Sequence, residues 1–574
     1  MMIQDTGIGN AREILDVLEA RGVRTFFISP GSRNTPLLIG LDARKSIRKF
    51  IINDERTAAF AALGYSLASQ EPSALVCTSG TAMYNYSPAI AEAYYQHVPL
   101  IVITADRPAQ WIDQDDSQTL RQYGAIDKIV KRSFDIHADA GAGSKCTSNL
   151  FDTEKEWYVN RVANEAVTIA TSPTCGPVHI NMQFADPLNV ITDHTPRNIR
   201  IVETMRGENK LSKQELHQLA KRIADKRVLV VAGYMPPCHS LNRALARFSS
   251  LPNVAVMCET ISNLHLGAES FMIDSLLTQV TDEELTTIRP DVTITIGGAL
   301  VSRMLKEFLR KNEGSEHWSL SQTDIPADCM QRLSLHIDAD PATFFTGMAG
   351  AIRAMQRDMQ DMTVKYNHDV SHLRAKANAR NECAIRESGW SELKALDILF
   401  GRLPESYNLF VSNGTCIRYA QLLTRNAPHA SWCNRGVSGI DGGNATAFGA
   451  SLAYKGTTLL LTGDMSFAYC PEIMQLKDIG GDMRIAVVNN SGGGIFRFIR
   501  TTRQLDIREG YFCNDPKLPL EKLADAYGWN YRCACNVSEL EDAMSYLTTT
   551  PHTILEIKVD AQASAETLIK YMEK

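Results

Sequence analysis

The feature that most constrains the fold of this chain is a repeated alternation of strand-like and helix-like patterns. In a first block, up to about residue 190, apolar runs such as RTFFISP, SALVCTSG, VPLIVITAD and GPVHINMQ are separated by helical patterns such as RTAAFAALGYSLAS. The runs are continuously apolar rather than alternating, which is typical of strands buried on both faces of a parallel sheet. We therefore expect an α/β fold of doubly wound, mainly parallel sheets.

The same alternation recurs twice. The second block contains KRVLVVAGY, NVAVMCET, DVTITIGGA and LSLHIDAD, and the third contains YNLFVSNGT, TTLLLTGD, MRIAVVNNSGGG and HTILEIKVD. A polar stretch from about residue 193 is typical of a linker, and the stretch before the third block is charged and helical. Because 574 residues are too many for one hydrophobic core, we predict three domains and one helical connector, with limits at 1–190, 205–350, 351–392 (the connector) and 393–574.

Composition and short motifs exclude several classes of function. The net charge of −6 is spread without a basic block, which disfavours nucleic acid or an anionic membrane as a partner. No apolar run approaches the ~18 residues of a membrane span, and the N-terminus lacks the pattern of a signal peptide. Thirteen cysteines without a CxxC pair indicate reduced thiols and a cytoplasmic protein. The HExxH zinc motif is absent, which disfavours a zinc site. The second block lacks a GxGxxG motif, so NAD or FAD binding is not predicted there.

Residues 457–496 form one strand–helix–strand unit with polar residues at both strand ends. Asp464 follows the strand TTLLLT, and Asn490 follows the strand RIAVV. Ligands of open α/β sheets bind beyond the carboxyl ends of parallel strands, so these two side chains are expected to lie close together. Mg²⁺ prefers oxygen ligands and commonly shares them with phosphate groups. Asp464, Asn490 and the Gly492 carbonyl are therefore predicted metal ligands, although each motif alone is more often a simple turn.

The GD motif, a spacer of 24 residues (465–488) and the NN motif resemble the thiamine-diphosphate signature of decarboxylases and acyloin synthases. One branch of that family is especially similar: the menaquinone-pathway synthases that join isochorismate to the four-carbon remnant of 2-oxoglutarate. The resemblance rests on motifs in both outer blocks, namely SPGSRNTPL, DERTAAFAALG, TSGTA, TADRP, NRGVSGIDG and NNSGGGIF.

The resemblance implies the cofactor, the substrates and the assembly. The cofactor is thiamine diphosphate with Mg²⁺ or Mn²⁺, and the substrates are 2-oxoglutarate and isochorismate. In this family the cofactor lies between the first domain of one subunit and the third domain of another, which implies a homodimer or homotetramer. Glu55 matches the acid that hydrogen-bonds the aminopyrimidine ring and activates the cofactor, whereas by sequence alone it is more simply an acid placed at a helix start.

The resemblance also assigns site residues. Its catalytic positions correspond to Glu55, Arg33 and Gln118. Its substrate-binding positions correspond to Ser32, Arg33, Arg107, Gln118, Arg303, Arg418, Arg435, Ile495 and Phe496. Its cofactor-binding positions correspond to Glu55, Asn413, Gly414, Thr415, Ile440, Met465, Ser466 and Gly492. A single arginine at a loop is usually just solvated, but a set at strand ends suits two dicarboxylate substrates, because guanidinium groups bind carboxylates through paired hydrogen bonds.

The chain departs from the family pattern at four positions. Gly414 stands where Ser is common, Arg303 where some members have Lys, and Cys470 and Glu472 where Asn and Asp residues are common near the metal site. Two other hypotheses stay open at this point. The chain is another thiamine-diphosphate-dependent 2-oxoacid decarboxylase or acyloin synthase, or it is a catalytically inactive protein that uses the same fold for binding.

Overall fold

The computed structural model describes residues 3–138, 151, 153–194, 199–207, 209–267, 271–323, 325–358, 364–424 and 428–573. The chain forms two compact units. The first unit comprises Met1–Arg206, Gly436–Lys455 and Leu476–Gly481, and the second comprises Gly207–Arg435, Gly456–Gln475 and Asp482–Lys574.

The N-terminal part of the first unit contains a six-stranded parallel sheet with helices on its faces and a separate pair of strands. Its strands are β1 (Ile3–Thr6), β2 (Thr25–Ile28), β3 (Arg48–Ile51), β4 (Ser73–Cys77), β5 (Leu100–Asp106), β6 (Ser133–Ile136), β7 (Val178–Gln183) and β8 (Ile191–His194). Its helices are α1 (Gly9–Ala20), α2 (Thr35–Ala43), α3 (Glu55–Ser69), α4 (Ala82–Gln96) and α5 (Glu154–Ala170), with short 3₁₀ helices at Ala109–Trp111 and Asp127–Ile129. The sheet order is β3-β2-β4-β5-β7-β6, and β1 pairs separately with β8 in antiparallel fashion.

The second unit contains two further parallel sheets, the first formed by its central segment. The strands of that sheet are β9 (Val228–Ala232), β10 (Val254–Cys258), β11 (Val292–Ile296), β12 (Glu316–Leu320) and β13 (Leu333–Ile337), in the order β10-β9-β11-β12-β13. The accompanying helices are α6 (Lys213–Ile223), α7 (His239–Ser249), α8 (Ile273–Thr278), α9 (Asp282–Thr287), α10 (Arg303–Arg310), α11 (Pro341–Asp358) and α12 (Tyr366–Glu387), with a 3₁₀ helix at Thr260–Ser262.

The C-terminal sheet has six parallel strands in the order β15-β14-β16-β17-β19-β18. These strands are β14 (Asn408–Val411), β15 (Ala430–Trp432), β16 (Thr458–Gly463), β17 (Met483–Asn489), β18 (Asn530–Ala534) and β19 (Thr553–Lys558). The helices of this part of the chain are α13 (Glu392–Arg402), α14 (Thr415–Leu423), α15 (Gly443–Ala453), α16 (Asp464–Phe467), α17 (Arg508–Tyr511), α18 (Leu520–Tyr527), α19 (Val537–Thr549) and α20 (Ala561–Met572), with 3₁₀ helices at Pro471–Ile479 and Gly494–Arg497.

The predicted fold class is confirmed. Three mainly parallel sheets are present, and most residues of their central strands are buried, as the continuous apolar runs indicate. Helix α15 belongs to the first compact unit, where it packs on α3, although its sequence lies within the predicted third domain. The domain limits stay a prediction, and residue 350 lies inside α11.

Two sequence-level expectations have structural counterparts. None of the helices in the described ranges combines the length and apolarity needed to cross a lipid bilayer. The cysteines for which the structure gives a position are all free thiols.

Candidate active site

The first unit has a pocket at the carboxyl ends of its parallel strands. Two residues predicted for the site, Glu55 and Gln118, line it together. The other lining residues are Thr78, Ser79, Gly80, Thr81, Ala82, Asp116, Thr119 and Leu120. The TSGTA segment, which we call the pocket floor, and the loop after β5 thus supply most of the lining.

Glu55 is the first residue of helix α3. The side chain of the preceding residue, Asp54, caps this helix by accepting a hydrogen bond from the Thr57 N–H at 2.7 Å. The Asn85 Nδ2 atom donates to Glu55 Oε2 at 3.0 Å. Asn85 therefore orients the Glu55 carboxylate, a contact that no sequence motif indicates because the two residues lie on different helices.

The pocket floor rests on a buried polar network. Gly80 has a φ of +89°, a conformation that favours glycine, and its N–H donates to Gln122 Oε1 at 2.7 Å. The Gln122 Nε2 atom donates to the Ala105 carbonyl at 3.1 Å and to Asn181 Oδ1 at 3.0 Å. Burial raises the pKa of nearby Asp106 to about 6, against hydrogen bonds from Asn181 and the next N–H along the chain.

Arg107 holds the loop that carries Gln118. Its Nε atom donates to the Ser117 carbonyl at 2.9 Å, and its Nη1 atom lies 2.8 Å from Asp116 Oδ2. Gln118 itself has a φ of +54°. In this structure Arg107 is therefore engaged with the loop, which fixes the backbone at Gln118.

Arg33 is buried, with 5% of its surface exposed. Its Nη1 atom donates to the Phe184 carbonyl at 3.0 Å and lies 3.5 Å from the largely exposed carboxylate of Asp186. The Arg33 N–H donates to Thr78 Oγ1 at 3.2 Å, which connects the SPGSR turn to the pocket floor. The neighbouring Ser32 is exposed.

The loop that carries Ile440 also belongs to the first unit. Glu92, which is 1% exposed, accepts hydrogen bonds from the Gly436 N–H at 2.5 Å and the Val437 N–H at 2.9 Å. At Gly442, a Cβ atom would lie 2.2 Å from the Phe60 ring, so only glycine fits there. Ile440 lies between these two fixed points and is partly buried.

The second unit brings Asp464 and Asn490 together, as predicted from their strand-end positions. Strands β16 and β17 are neighbours, with Gly463 opposite Val488. Asp464 Oδ2 accepts hydrogen bonds from the Asn490 N–H at 3.1 Å and from the Gly492 N–H at 2.8 Å. Asp464 is 3% exposed, and this burial raises its pKa against the hydrogen bonds it accepts.

The side chain of Asn490 is held by an acid that the sequence analysis did not identify. Its Nδ2 atom donates to Glu392 Oε1 at 2.5 Å. Its Oδ1 atom is buried and accepts no hydrogen bond from any residue in the described part of the chain. Burial raises the pKa of Glu392 to about 7, while hydrogen bonds with Asn490 and Thr415 act in the opposite direction.

The glycine loop after β17 requires its glycines. Gly492 has a φ of +87°, and a Cβ atom there would lie 2.1 Å from the Asn514 carbonyl oxygen. The Gly492 carbonyl accepts a hydrogen bond from Arg497 Nη1 at 3.0 Å. Ile495 and Phe496 follow in a 3₁₀ helix and are partly buried, with the Phe496 ring 5.2 Å from the Phe512 ring.

Helix α16 begins at Asp464 and carries the next two predicted cofactor contacts. The Met465 N–H donates to Asp464 Oδ1 at 2.7 Å, so it is not free to bind a diphosphate in this structure. Ser466 is buried. Cys470, one of the departures from the family pattern, is 2% exposed, whereas Glu472 is partly exposed.

Asn413, Gly414 and Thr415 form the turn between β14 and α14. Gly414 has a φ of +106°, which L-residues rarely adopt. Asn413 Nδ2 donates to the Asn434 carbonyl at 2.6 Å, and Asn413 Oδ1 accepts from Arg435 Nη1 at 2.7 Å. Arg435 thus packs directly on the predicted diphosphate turn.

A second cleft, also within the second unit, brings together Arg303 and Arg418. Its other lining residues are Asp274, Met304, Tyr419, Leu422, Phe498, Leu568 and Met572. Arg303 is the first residue of α10 and pairs with Glu307 one turn later. Burial raises the pKa of Asp274 to about 6, and a hydrogen bond from Ser302 and the charge of Arg418 oppose this shift.

The residues at the Asp464 corner fit a divalent cation. They supply one buried carboxylate, one buried amide oxygen without a hydrogen bond from the described residues, and the carbonyl of Gly492, which also accepts a hydrogen bond from Arg497 Nη1. Oxygen ligands of this kind, completed by phosphate oxygens and water, are those that Mg²⁺ and Mn²⁺ prefer. A buried polar oxygen without a partner is unfavourable, and a bound cation would satisfy it.

Two family models match the chain. Residues 10–125 match the N-terminal TPP binding domain of thiamine pyrophosphate enzymes, and residues 413–555 match the C-terminal TPP binding domain. The first match contains Glu55 and the pocket of the first unit. The second contains Asp464, Asn490 and the glycine loop.

Several relatives are similar over nearly their whole length. The three described below each carry the name 2-succinyl-5-enolpyruvyl-6-hydroxy-3-cyclohexene-1-carboxylate synthase. The protein of Porphyromonas gingivalis is 36% identical over 97% of this chain and 96% of its own length. That of Flavobacterium psychrophilum is 32% identical over 98% of both chains, and that of Bacteroides fragilis is 31% identical over 98% of both.

Proposed function

Because the chain belongs to the 2-succinyl-5-enolpyruvyl-6-hydroxy-3-cyclohexene-1-carboxylate synthase family of thiamine-diphosphate-dependent enzymes, we propose that it catalyses that reaction in menaquinone biosynthesis. It decarboxylates 2-oxoglutarate and adds the remaining four-carbon unit to isochorismate by 1,4-addition. The observation that carries the proposal is the Asp464–Asn490 corner, where a buried amide oxygen faces no donor within the described residues.

The metal is proposed to be Mg²⁺ or Mn²⁺. Asp464, Asn490 and the Gly492 carbonyl are its protein ligands, and the diphosphate of the cofactor shares the ion. Support comes from the burial of both side chains and from the N–H groups of Asn490 and Gly492, which hold the Asp464 carboxylate toward the loop. Removing one of the two side-chain ligands is therefore expected to weaken cofactor binding as well as metal binding.

The chain's own residues prepare the bound cofactor for reaction. Thiamine diphosphate supplies the nucleophilic carbon and the electron sink that decarboxylation of a 2-oxoacid requires. Glu55 holds or releases a proton at the aminopyrimidine ring, and the hydrogen bond from Asn85 fixes the direction of its carboxylate. Asn413, Gly414, Thr415 and Ser466 are proposed to contact the diphosphate, and Ile440 supports the rings of the cofactor.

The arginines are proposed to bind the carboxylates of the two substrates. Arg303 and Arg418 support this role most directly, since both line one cleft of the second unit. Arg33, Arg107 and Arg435 are bonded to protein groups in this structure, and Arg303 is paired with Glu307. Direct contact of these four arginines with a substrate therefore requires an exchange of partners. Ser32, Gln118, Ile495 and Phe496 complete the proposed substrate contacts.

The location and assembly are proposed on the family resemblance. The enzyme is expected to act in the cytoplasm as a homodimer or homotetramer. Size-exclusion chromatography with light scattering gives the mass of the assembly directly, and a monomer that retains full activity would contradict the proposal.

Substrate choice separates this function from that of another thiamine-diphosphate-dependent decarboxylase or acyloin synthase. With the cofactor and Mg²⁺ present, release of CO₂ is measured from 2-oxoglutarate and from pyruvate. Preference for 2-oxoglutarate supports the proposal, because two arginines line the cleft for a dicarboxylate. Preference for pyruvate would contradict it.

A further inference from the structure

Glu392 lies in the core of the second unit, far in sequence from the residues it contacts. It is the first residue of α13 and is 2% exposed. Its N–H donates to Ser564 Oγ at 3.1 Å, which fixes the backbone at the start of the helix. Its side chain makes hydrogen bonds with Asn490 and Thr415. An isolated acid is rarely buried so completely without a specific partner.

The contact with Asn490 decides which end of the amide faces the metal corner. An asparagine amide has an oxygen end and a nitrogen end of nearly equal shape, so its neighbours determine its orientation. A carboxylate oxygen accepts hydrogen bonds, and Glu392 Oε1 lies 2.5 Å from Asn490 Nδ2. The Oδ1 atom must then point away from Glu392, and it is this atom that is buried without a donor in the described structure.

The Asn490–Glu392 pair packs closely against the backbone of Gly494. At Gly494, a Cβ atom would lie 2.3 Å from Asn490 Nδ2 and 3.1 Å from Glu392 Oε1. The backbone of Asn490 is fixed at the same time by the hydrogen bond from its N–H to Asp464 Oδ2. The main chain and the amide of Asn490 are thus each held by a different carboxylate.

We propose that Glu392 is a positioning residue of the metal site: its carboxylate holds the Asn490 amide so that Oδ1 faces the cation. The inference rests on the proposed metal role of Asp464 and Asn490. It goes beyond that role because Glu392 itself is no ligand. Residues that orient metal ligands commonly change metal affinity 10- to 100-fold when replaced.

Two conservative substitutions separate the reach of the side chain from its charge. Glu392→Gln keeps the length and an acceptor oxygen but removes the charge. Glu392→Asp keeps the charge but withdraws the acceptor by one methylene group. If Glu392 positions the Asn490 amide, the Mg²⁺ affinity of the Gln variant should stay within about threefold of the wild-type value. The Mg²⁺ affinity of the Asp variant should be at least about tenfold lower.

The measurement is the binding of thiamine diphosphate to the full chain at increasing Mg²⁺ concentrations. Binding is monitored by intrinsic tryptophan fluorescence and by calorimetry, and both give the Mg²⁺ affinity. Thermal unfolding in EDTA shows whether each variant is folded without the ion. Ser564→Ala is the matched control: it removes a hydrogen bond from the backbone of Glu392 but leaves the carboxylate in place, so Mg²⁺ affinity should stay within about twofold.

The outcomes distinguish this inference from the proposed function. Equal affinities for the Asp variant and the wild type, or a larger loss in the Gln variant than in the Asp variant, would overturn the positioning role. Asp464→Ala, measured in the same way, tests the metal site itself. If Asp464→Ala leaves the Mg²⁺ dependence unchanged, the proposed site is wrong. If it abolishes that dependence while Glu392→Asp does not weaken binding, only the positioning inference fails.

Discussion

Gly64 of helix α3 and Gly449 of helix α15 lie where the two helices touch backbone to backbone. A Cβ atom at Gly64 would lie 1.9 Å from the Thr446 carbonyl oxygen, and one at Gly449 would lie 1.8 Å from the Ala61 carbonyl oxygen. Moving either helix away from the other would disrupt packing, because both helices are buried along most of their length. This contact fixes α3, whose first residue is Glu55, against the segment that follows the Ile440 loop.

Adding one methyl group at this contact should therefore be strongly destabilising. We expect Gly64→Ala or Gly449→Ala to lower the free energy of unfolding by about 2 kcal/mol or more, because overpacking against backbone forces the helices apart. Chemical denaturation checks this. Gly401→Ala in helix α13 is the matched control: its Cβ would meet nothing within 4 Å, so it should be neutral or stabilising by about 1 kcal/mol. An equal change in unfolding free energy at Gly401 and at the helix contact would contradict this account.

Glu55 should be needed for turnover but not for cofactor binding. Glu55→Gln keeps the shape and a hydrogen-bonding group but cannot exchange a proton, so kcat should fall about 10²- to 10⁴-fold. Calorimetry should show thiamine-diphosphate affinity within a few-fold of the wild type. Asn85→Ala, which removes the orienting hydrogen bond, should give a smaller loss of about tenfold. Glu71→Gln, at an exposed position, is the control and should leave kcat unchanged. Full activity of Glu55→Gln would refute the role assigned to Glu55.

Arg418 should contribute to substrate affinity. Arg418→Gln removes a guanidinium from the cleft that also contains Arg303, and loss of a charge-assisted hydrogen bond costs about 1.5–3 kcal/mol. The KM of one dicarboxylate substrate should rise about 10- to 100-fold, with a partial effect for Arg418→Lys. Steady-state kinetics with each substrate varied in turn measure the two KM values. Arg386→Gln, on the exposed side of α12, is the control and should change neither KM. Unchanged KM values in Arg418→Gln would show that Arg418 does not bind a substrate.

His179 should make the first unit sensitive to acid. It is fully buried beside Thr104, and burial lowers its pKa from 6.5 to about 4. The unfolded chain then binds a proton between pH 6.5 and 4 that the folded chain does not. The stability from neutral His179 is complete above pH 6.5 and is lost as the pH falls toward 4, by about 3 kcal/mol at most.

Comparison of variants isolates this contribution. The difference in unfolding free energy between wild type and His179→Gln should be larger at pH 7 than at pH 4.5, as measured by urea denaturation at both values. His368→Gln, at an exposed site on α12, should show no such change. Equal acid sensitivity of wild type and His179→Gln would show that His179 does not couple to folding.

The sequence predicted the buried parts of the sheets better than their margins. Strands such as β4, β5, β16 and β17 are continuous apolar runs, because both of their faces are covered. The edge strands β15 and β18 were not predicted, and neither was β12, which lies between β11 and β13. Strand β15 has only three residues, and β18 is partly exposed with Arg and Asn within its run. Such short or polar edges lack the periodic signal of a buried strand.

The site was predictable where it follows from local rules and not where it depends on long-range contacts. Asp464 and Asn490 were expected to meet because the ends of neighbouring parallel strands lie together, and β16 does pair with β17. Glu392, Asn85 and Glu92 were missed. Their partners lie 98, 30 and 344 residues away in the chain, and no spacing rule connects residues that only the folded chain brings together.

The most direct test of the central claim is the consumption of isochorismate. The purified chain is incubated with thiamine diphosphate, Mg²⁺, 2-oxoglutarate and isochorismate, and the absorbance of isochorismate is followed with time. The account predicts a loss of absorbance that requires all of these components and is absent in Glu55→Gln. Unchanged isochorismate absorbance, together with turnover of pyruvate by the same preparation, would contradict it.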